Sequence, residues 1–382
     1  MFADKIVETV RHTIAYFYVF EGDQDYKKFE KTDKENANSM QDEVVDDTTD
    51  DENSLQSALE NYQKALDLYP EHVKARYNLG NIYVAYESYE TAADYYEEAL
   101  KTAPDFFNAR INLGIVLDRK LKDIDEGIEQ YQKVVDSKLS IIKIPFIYNN
   151  EYHVLHSKAI AYYNMGLAYR DKAILMGLNG TSAQIFLQRA AESYKNSIKI
   201  EPNVYESHYN YAIALQLLGR KQQATEEYCK AINLSPLNYE AHYNLAILLN
   251  DEGKYQESAD ALSKAGVILD IHGEEGKSKY VYSFLNEVSQ RIVIKNENLS
   301  PNSPRVKYVP NKDLIEYQND LILKNSGWKV KPLWQKDQDD YPWLIHENGK
   351  VKFDDKMEKA MLENMKTCNA CKIVKLKHRD KD

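Results

Sequence analysis

The sequence predicts an all-α array of stacked helical hairpins, and three observations predict it. Related strings recur along the chain: ARYNLGNIY from Ala75, ARINLGIVL from Ala109, AYYNMGLAY from Ala161, SHYNYAIAL from Ser207 and AHYNLAILL from Ala241. The first two start 34 residues apart, as do the last two, and a fixed period of this size marks a repeat architecture. Each string is followed by a second one with helical spacing, such as YETAADYYEEALKTAP ending at Pro104. Leu79, Gly80 and Tyr83 share a face of the first helix and Ala92, Tyr96 and Ala99 a face of the second, so each helix carries one apolar stripe. Finally, only 14 Gly and 10 Pro in 382 residues argue against a sandwich of many short strands.

Within a unit, Gly80 and Ala92 leave room where two helices approach, and Pro104 ends the second helix because it lacks an N–H and clashes with the preceding turn. Small, aromatic and proline positions that recur together at this period resemble the tetratricopeptide repeat (TPR) family over residues 57–270. The resemblance implies a right-handed superhelical solenoid of about five to six helix-turn-helix repeats, with the first helices lining a concave groove. One such unit cannot bury its apolar face, so neighbours stack and the ends need polar caps.

In chain order, residues 1–20 place Ile6, Val10, Ile14 and Phe17 on one stripe of an amphipathic helix that packs on its own protein or on a partner. Asp4 and Glu8 weigh against a mitochondrial targeting segment. Residues 21–56 are acidic and read as a disordered linker. Residues 57–136 hold units one to three. The first shows only its second helix (Ala58, Tyr62, Ala65, Pro70), and the third has one extra residue between its helices. Residues 137–158 form an insert with the apolar run IIKIPFIY. It packs back on the array or offers a sticky surface to a partner. Residues 159–270 hold units four to six, with MGLNGTSAQ as an extended loop in unit four and Asp270 where a closing Pro is expected. Residues 271–296 read as a capping helix with Tyr280, Phe284, Val288 and Ile292 on one face. Residues 297–382 read as an extended tail with a short helix over 311–324, a basic C-terminus, and Trp328, Trp334 and Trp343 as partner anchors.

Composition narrows the function. Lys plus Arg is 49, Asp plus Glu is 60 and the net charge is −11, which disfavours nucleic acid as a partner. No run of eighteen apolar residues predicts membrane insertion. Three cysteines are too few for a disulfide framework and point to a reducing, cytoplasmic setting, with cilium, cytoskeleton or mitochondrion as alternatives. Cys229 reads as a buried small hydrophobe. Cys368 and Cys371 form a C-x-x-C pair, half of the four ligands that structural zinc needs. His153 and His156 have no neighbouring Cys or carboxylate to complete a site. No phosphate-binding, dinucleotide, zinc-protease or serine-hydrolase signature is present. The expectation is therefore a non-enzyme with no cofactor and no small-molecule substrate.

One polar residue repeats: Asn78, Asn112, Asn164, Asn210 and Asn244 stand at the same place in five first helices. A carboxamide matches the N–H and C=O of a peptide unit, and such a ladder resembles the TPR array of O-linked N-acetylglucosamine transferases. Two readings stand, a grip on a bound peptide backbone and an aid to helix pairing. Tyr77, Tyr163, Tyr209 and Tyr243 precede four of these asparagines and, with His208 and His242, would give the groove an aromatic lining. The expected function is a scaffold or adaptor that holds a partner protein's segment within a larger assembly. The alternatives are a co-chaperone adaptor that reads acidic C-termini through Lys74 and Arg76, or an accessory subunit with a zinc-bearing tail.

Overall fold

The computed structural model describes residues 2–39, 48–138, 143–144, 147–148, 151–178, 180–297, 344–347, 350–353 and 371. The chain divides into two compact units, Met1–Met176 and Gly177–Asp382. The first contains α1 (Phe2–Ser39), α2 (Thr48–Leu68), α3 (Val73–Ala85), α4 (Tyr89–Thr102), α5 (Phe107–Ile115), a π-turn (Val116–Lys120), α6 (Ile124–Val135) and α7 (Glu151–Leu175). The second contains α8 (Thr181–Ile200), α9 (Tyr205–Leu217), α10 (Lys221–Leu234), α11 (Tyr239–Asp251), α12 (Tyr255–Ile271) and α13 (Glu275–Glu297). Among the described residues the only strands are two short antiparallel hairpins: β1 (Lys143–Ile144) with β2 (Ile147–Tyr148), and β3 (Leu344–Glu347) with β4 (Lys350–Phe353).

One steric device builds the hairpins. A small residue on one helix receives the ring of a buried Tyr on the next. A Cβ added at Gly80 would lie 2.5 Å from Tyr96 Cε1, one at Gly114 2.5 Å from Tyr131 Cε1, and one at Gly22 2.7 Å from Tyr62 Cε1. Gly266 meets Tyr282 in the same way, so α13 is locked onto α12 as the second helix of a hairpin is locked onto the first. The Tyr hydroxyl then finds an acceptor on the facing helix or its π-turn: Asp23 Oδ1 for Tyr62 (3.0 Å), Asn81 Oδ1 for Tyr96 (2.7 Å), Asp118 Oδ2 for Tyr131 (2.8 Å), Gln216 Oε1 for Tyr228 (2.7 Å) and Asp270 Oδ2 for Tyr282 (2.9 Å). The rings thus fill the core without leaving a buried polar group unpaired. Gly219 and Gly253 supply the left-handed turn after α9 and α11 (φ 72° and 71°).

Several expectations are corrected. Residues 21–39 are not a linker but the second half of α1, and residues 48–56 open α2. Gly22 against Tyr62 makes α1 the missing first helix of unit one. The stripe expected to bury α1 faces outward instead: Val10 is 51% exposed, Ile14 41% and Phe17 57%, while Ala15, Val19 and Gly22 face the neighbouring helices. The extra residue of unit three lies in the π-turn, where Leu121 N donates to Val116 O (3.0 Å). The long loop of unit four shrinks to residues 176–180, because α7 and α8 are extended to 25 and 20 residues. Asp270 replaces Pro because α12 does not stop there: it runs to Ile271, and Asp270 is the acceptor for Tyr282. On α13 the buried stripe is Val281, Leu285, Val288 and Ile292, and Tyr280 is exposed. The last three turns of the segment expected as an insert, from Glu151, belong to α7. Residues 344–353, expected as extended tail, contain the β3–β4 hairpin.

Candidate protein-binding site

In each unit the tyrosines expected to line the groove are half-buried and braced. Tyr77 packs edge-on against Phe106 (centroids 4.9 Å apart), and its hydroxyl accepts from Asn112 Nδ2 (3.3 Å). Tyr209 stacks on Tyr205 (5.6 Å), and its hydroxyl accepts from Asn244 Nδ2 (2.8 Å). Tyr243 lies 6.4 Å from both Tyr280 and Phe284. Burial, with the Tyr280 hydroxyl nearby, pushes its own hydroxyl up to about 12. Tyr163 is half-buried on α7. These hydroxyls are neutral at physiological pH.

All five side-chain amides of the Asn ladder donate to groups of this chain. Asn78 Nδ2 reaches Asp23 Oδ1 (2.8 Å), and Asn112 Nδ2 reaches Asn81 Oδ1 (3.0 Å) as well as Tyr77. Asn164 Nδ2 bonds Ile160 O (3.0 Å), Asn210 Nδ2 bonds Glu206 O (2.9 Å), and Asn244 holds Tyr209. Arg119 Nη2 also donates to Asn164 Oδ1 (2.5 Å). Asn112 and Asn244 therefore tie one repeat's first helix to the preceding repeat's tyrosine.

His208 and His242 are buried, not part of a lining. His208 places Nδ1 2.6 Å from Glu227 Oε2 and Nε2 2.8 Å from Pro202 O. Burial pushes the Glu227 carboxyl up, but bonds from His208 and Lys230 outweigh it and hold it below the usual range. One period on, His242 has Nε2 3.0 Å from Pro236 O, and Nδ1 has no partner. The position equivalent to Glu227 is Ala261. Burial drives His242 down to about 4.

The cations of the clamp alternative are already engaged. Lys74 pairs with Asp23 on α1, and Arg76 Nη1 donates to Glu98 O (2.9 Å) and Thr102 Oγ1 (3.0 Å). Cys229 is not an inert hydrophobe: it forms a disulfide with Cys371, a pairing with no local sequence signal. Cys371 therefore offers no thiolate to zinc in this state, against the zinc-tail reading, and the cysteine count no longer argues for a reducing setting. Among the described residues no cluster of three or more His, Cys, Asp or Glu could hold a metal. No helix among them is long and apolar enough to cross a membrane. Trp328, Trp334, Trp343, Cys368, the helix expected over 311–324 and the basic C-terminus lie outside the described residues.

Family profiles described as "Tetratricopeptide repeat" match residues 51–105, 79–138 and 222–266, and a second such profile matches 205–236. No curated protein matches the chain. Among solved structures, the chain is similar to Pseudomonas aeruginosa pilF at 14% identity, with 68% of this chain and 91% of that one covered and a TM-score of 0.48. It is similar to MamA at 17% identity (58% and 91% covered, TM-score 0.40). It is also similar to YrrB, described as a TPR protein with an unusual peptide-binding site, at 23% identity (56% and 95% covered, TM-score 0.35). Residues 51–138 and 205–266 are thus tetratricopeptide repeats, a general protein-interaction scaffold fold.

Proposed function

We infer that the chain is a non-catalytic scaffold whose half-exposed tyrosines receive an extended segment of a partner protein. The observation that carries this reading is the bracing of Tyr77 and Tyr209, each fixed by a ring neighbour and by an Asn at its hydroxyl. A ring held in place before binding loses little entropy when a partner arrives. In this reading the asparagines position the row and the rings make the contact. Trp328, Trp334 and Trp343 would add anchors in the larger assembly. The pairing of Lys74 and Arg76 within the chain weighs against capture of acidic C-termini. The disulfide favours an oxidising compartment over the cytoplasm.

The test starts from peptides selected on the full-length chain from a displayed library. Tyr77→Ala, Tyr209→Ala and Tyr243→Ala should each weaken the best binder about tenfold, as truncation of an interface aromatic costs about 1–2 kcal/mol. Binding untouched by all three would refute the reading. Selection of acidic C-termini, lost on Lys74→Ala with Arg76→Ala, would replace it with the co-chaperone reading.

A further inference from the structure

The outer face of α10 breaks the pattern of the second helices. The residue after the core Tyr is Gln63 on α2, Glu97 on α4, Gln132 on α6 and Lys195 on α8, and all four are exposed. On α10 it is Cys229, only 4% exposed. Cys371, 142 residues further on and 2% exposed, is bonded to it and joins the core cluster of Leu215, Tyr228, Ile232 and Leu245. A position that is solvated throughout the rest of the array is buried where the chain's C-terminal segment arrives.

We propose that Cys229–Cys371 is a redox-gated clasp that seats the C-terminal segment on the outer face of α10 when closed and frees it when reduced. The occupant of this face is the segment around Cys371 of the same chain, because the bond places it there. Opening requires a dithiol reductant. Its first thiolate attacks Cys371 Sγ and the Sγ–Sγ bond breaks. Cys229 leaves as a thiolate and takes up a proton. The second thiol of the reductant then displaces Cys371 from the mixed disulfide and closes a cyclic disulfide. Two electrons pass from the dithiol to the clasp. Once open, Cys229 has the solvated setting of Gln132 and its equivalents, and the C-terminal segment is no longer fixed to the repeats.

The test uses the full-length chain, lysed with iodoacetamide so that free thiols are blocked. A non-reduced tryptic digest should contain residues 222–230 linked to 367–372. The link should survive Cys368→Ser and vanish in Cys371→Ser. In the native chain Cys229 should not react with iodoacetamide. After dithiothreitol it should alkylate within about tenfold of the rate in denaturant, with the helical circular dichroism unchanged. Cys371→Ser should show the same reactivity without reductant, which keeps the test independent of reduction. Absence of the linked peptide would overturn the proposal. So would a Cys229 that stays more than a hundredfold slower than in denaturant, both after reduction and in Cys371→Ser.

Discussion

Lowering the pH from 7.5 to 4.5 should destabilise the second unit through one side chain, His242. Its Nε2–H is used on Pro236 O, and protonation would add a proton at Nδ1, which is buried without an acceptor. Burial sets the folded value at about 4, against 6.5 for the free side chain. Between these values the unfolded chain binds a proton that the folded chain refuses. Stability is therefore complete above about 6.5 and falls as the pH drops toward 4. Two pH units below 6.5, at about 1.4 kcal/mol each, amount to about 2–3 kcal/mol at pH 4.5. For a unit of this size that is about 5–10 °C in melting temperature. The reference is His242→Gln, which keeps a donor near Nε2 and cannot take up the proton. Melts followed by circular dichroism at several pH values should show a shallower acid slope in the variant. His72, also held at about 4 by burial, keeps its own slope in both chains and cancels. Equal slopes in the two chains would refute the reasoning.

Two further outcomes follow from the packing. Gly80→Ala brings a Cβ to 2.5 Å from Tyr96 Cε1, and since the ring is walled in, unfolding in urea should show a loss of about 1–3 kcal/mol. Asn112→Ala and Asn244→Ala each remove the donor to a tyrosine of the preceding repeat and should cost about 0.5–1.5 kcal/mol in the same assay. A change in partner binding with no change in stability would return these residues to the backbone-grip reading.

The repeats were legible because their signal is steric and periodic: Gly80, Tyr96 and Pro104 recur with their counterparts, and the packing reproduces them as ring-into-gap contacts. The opening helix of unit one was hidden by composition. Its acidic second half looks like a solvated linker, and the clue was a single residue, Gly22, which gives Tyr62 the gap that Gly80 gives Tyr96. The tyrosines and asparagines of the site could be found by position. Their hydrogen bonds could not, because each joins residues about 35 apart whose approach depends on how neighbouring hairpins stack. The Cys229–Cys371 bond spans 142 residues, and no periodicity links its ends.

The π-turn at Val116–Lys120 shows how this architecture absorbs a change of length. Unit three carries one residue more than its neighbours, yet Gly114 meets Tyr131 at the distance at which Gly80 meets Tyr96. The surplus is taken up by one widened turn and by Lys122 at φ 65°, so α6 arrives in register. A reading-frame-preserving insertion at this corner is confined to one local backbone distortion and leaves the interface untouched. The corner between two helices is thus a buffer in which gene length can drift while the spacing of the repeats is conserved.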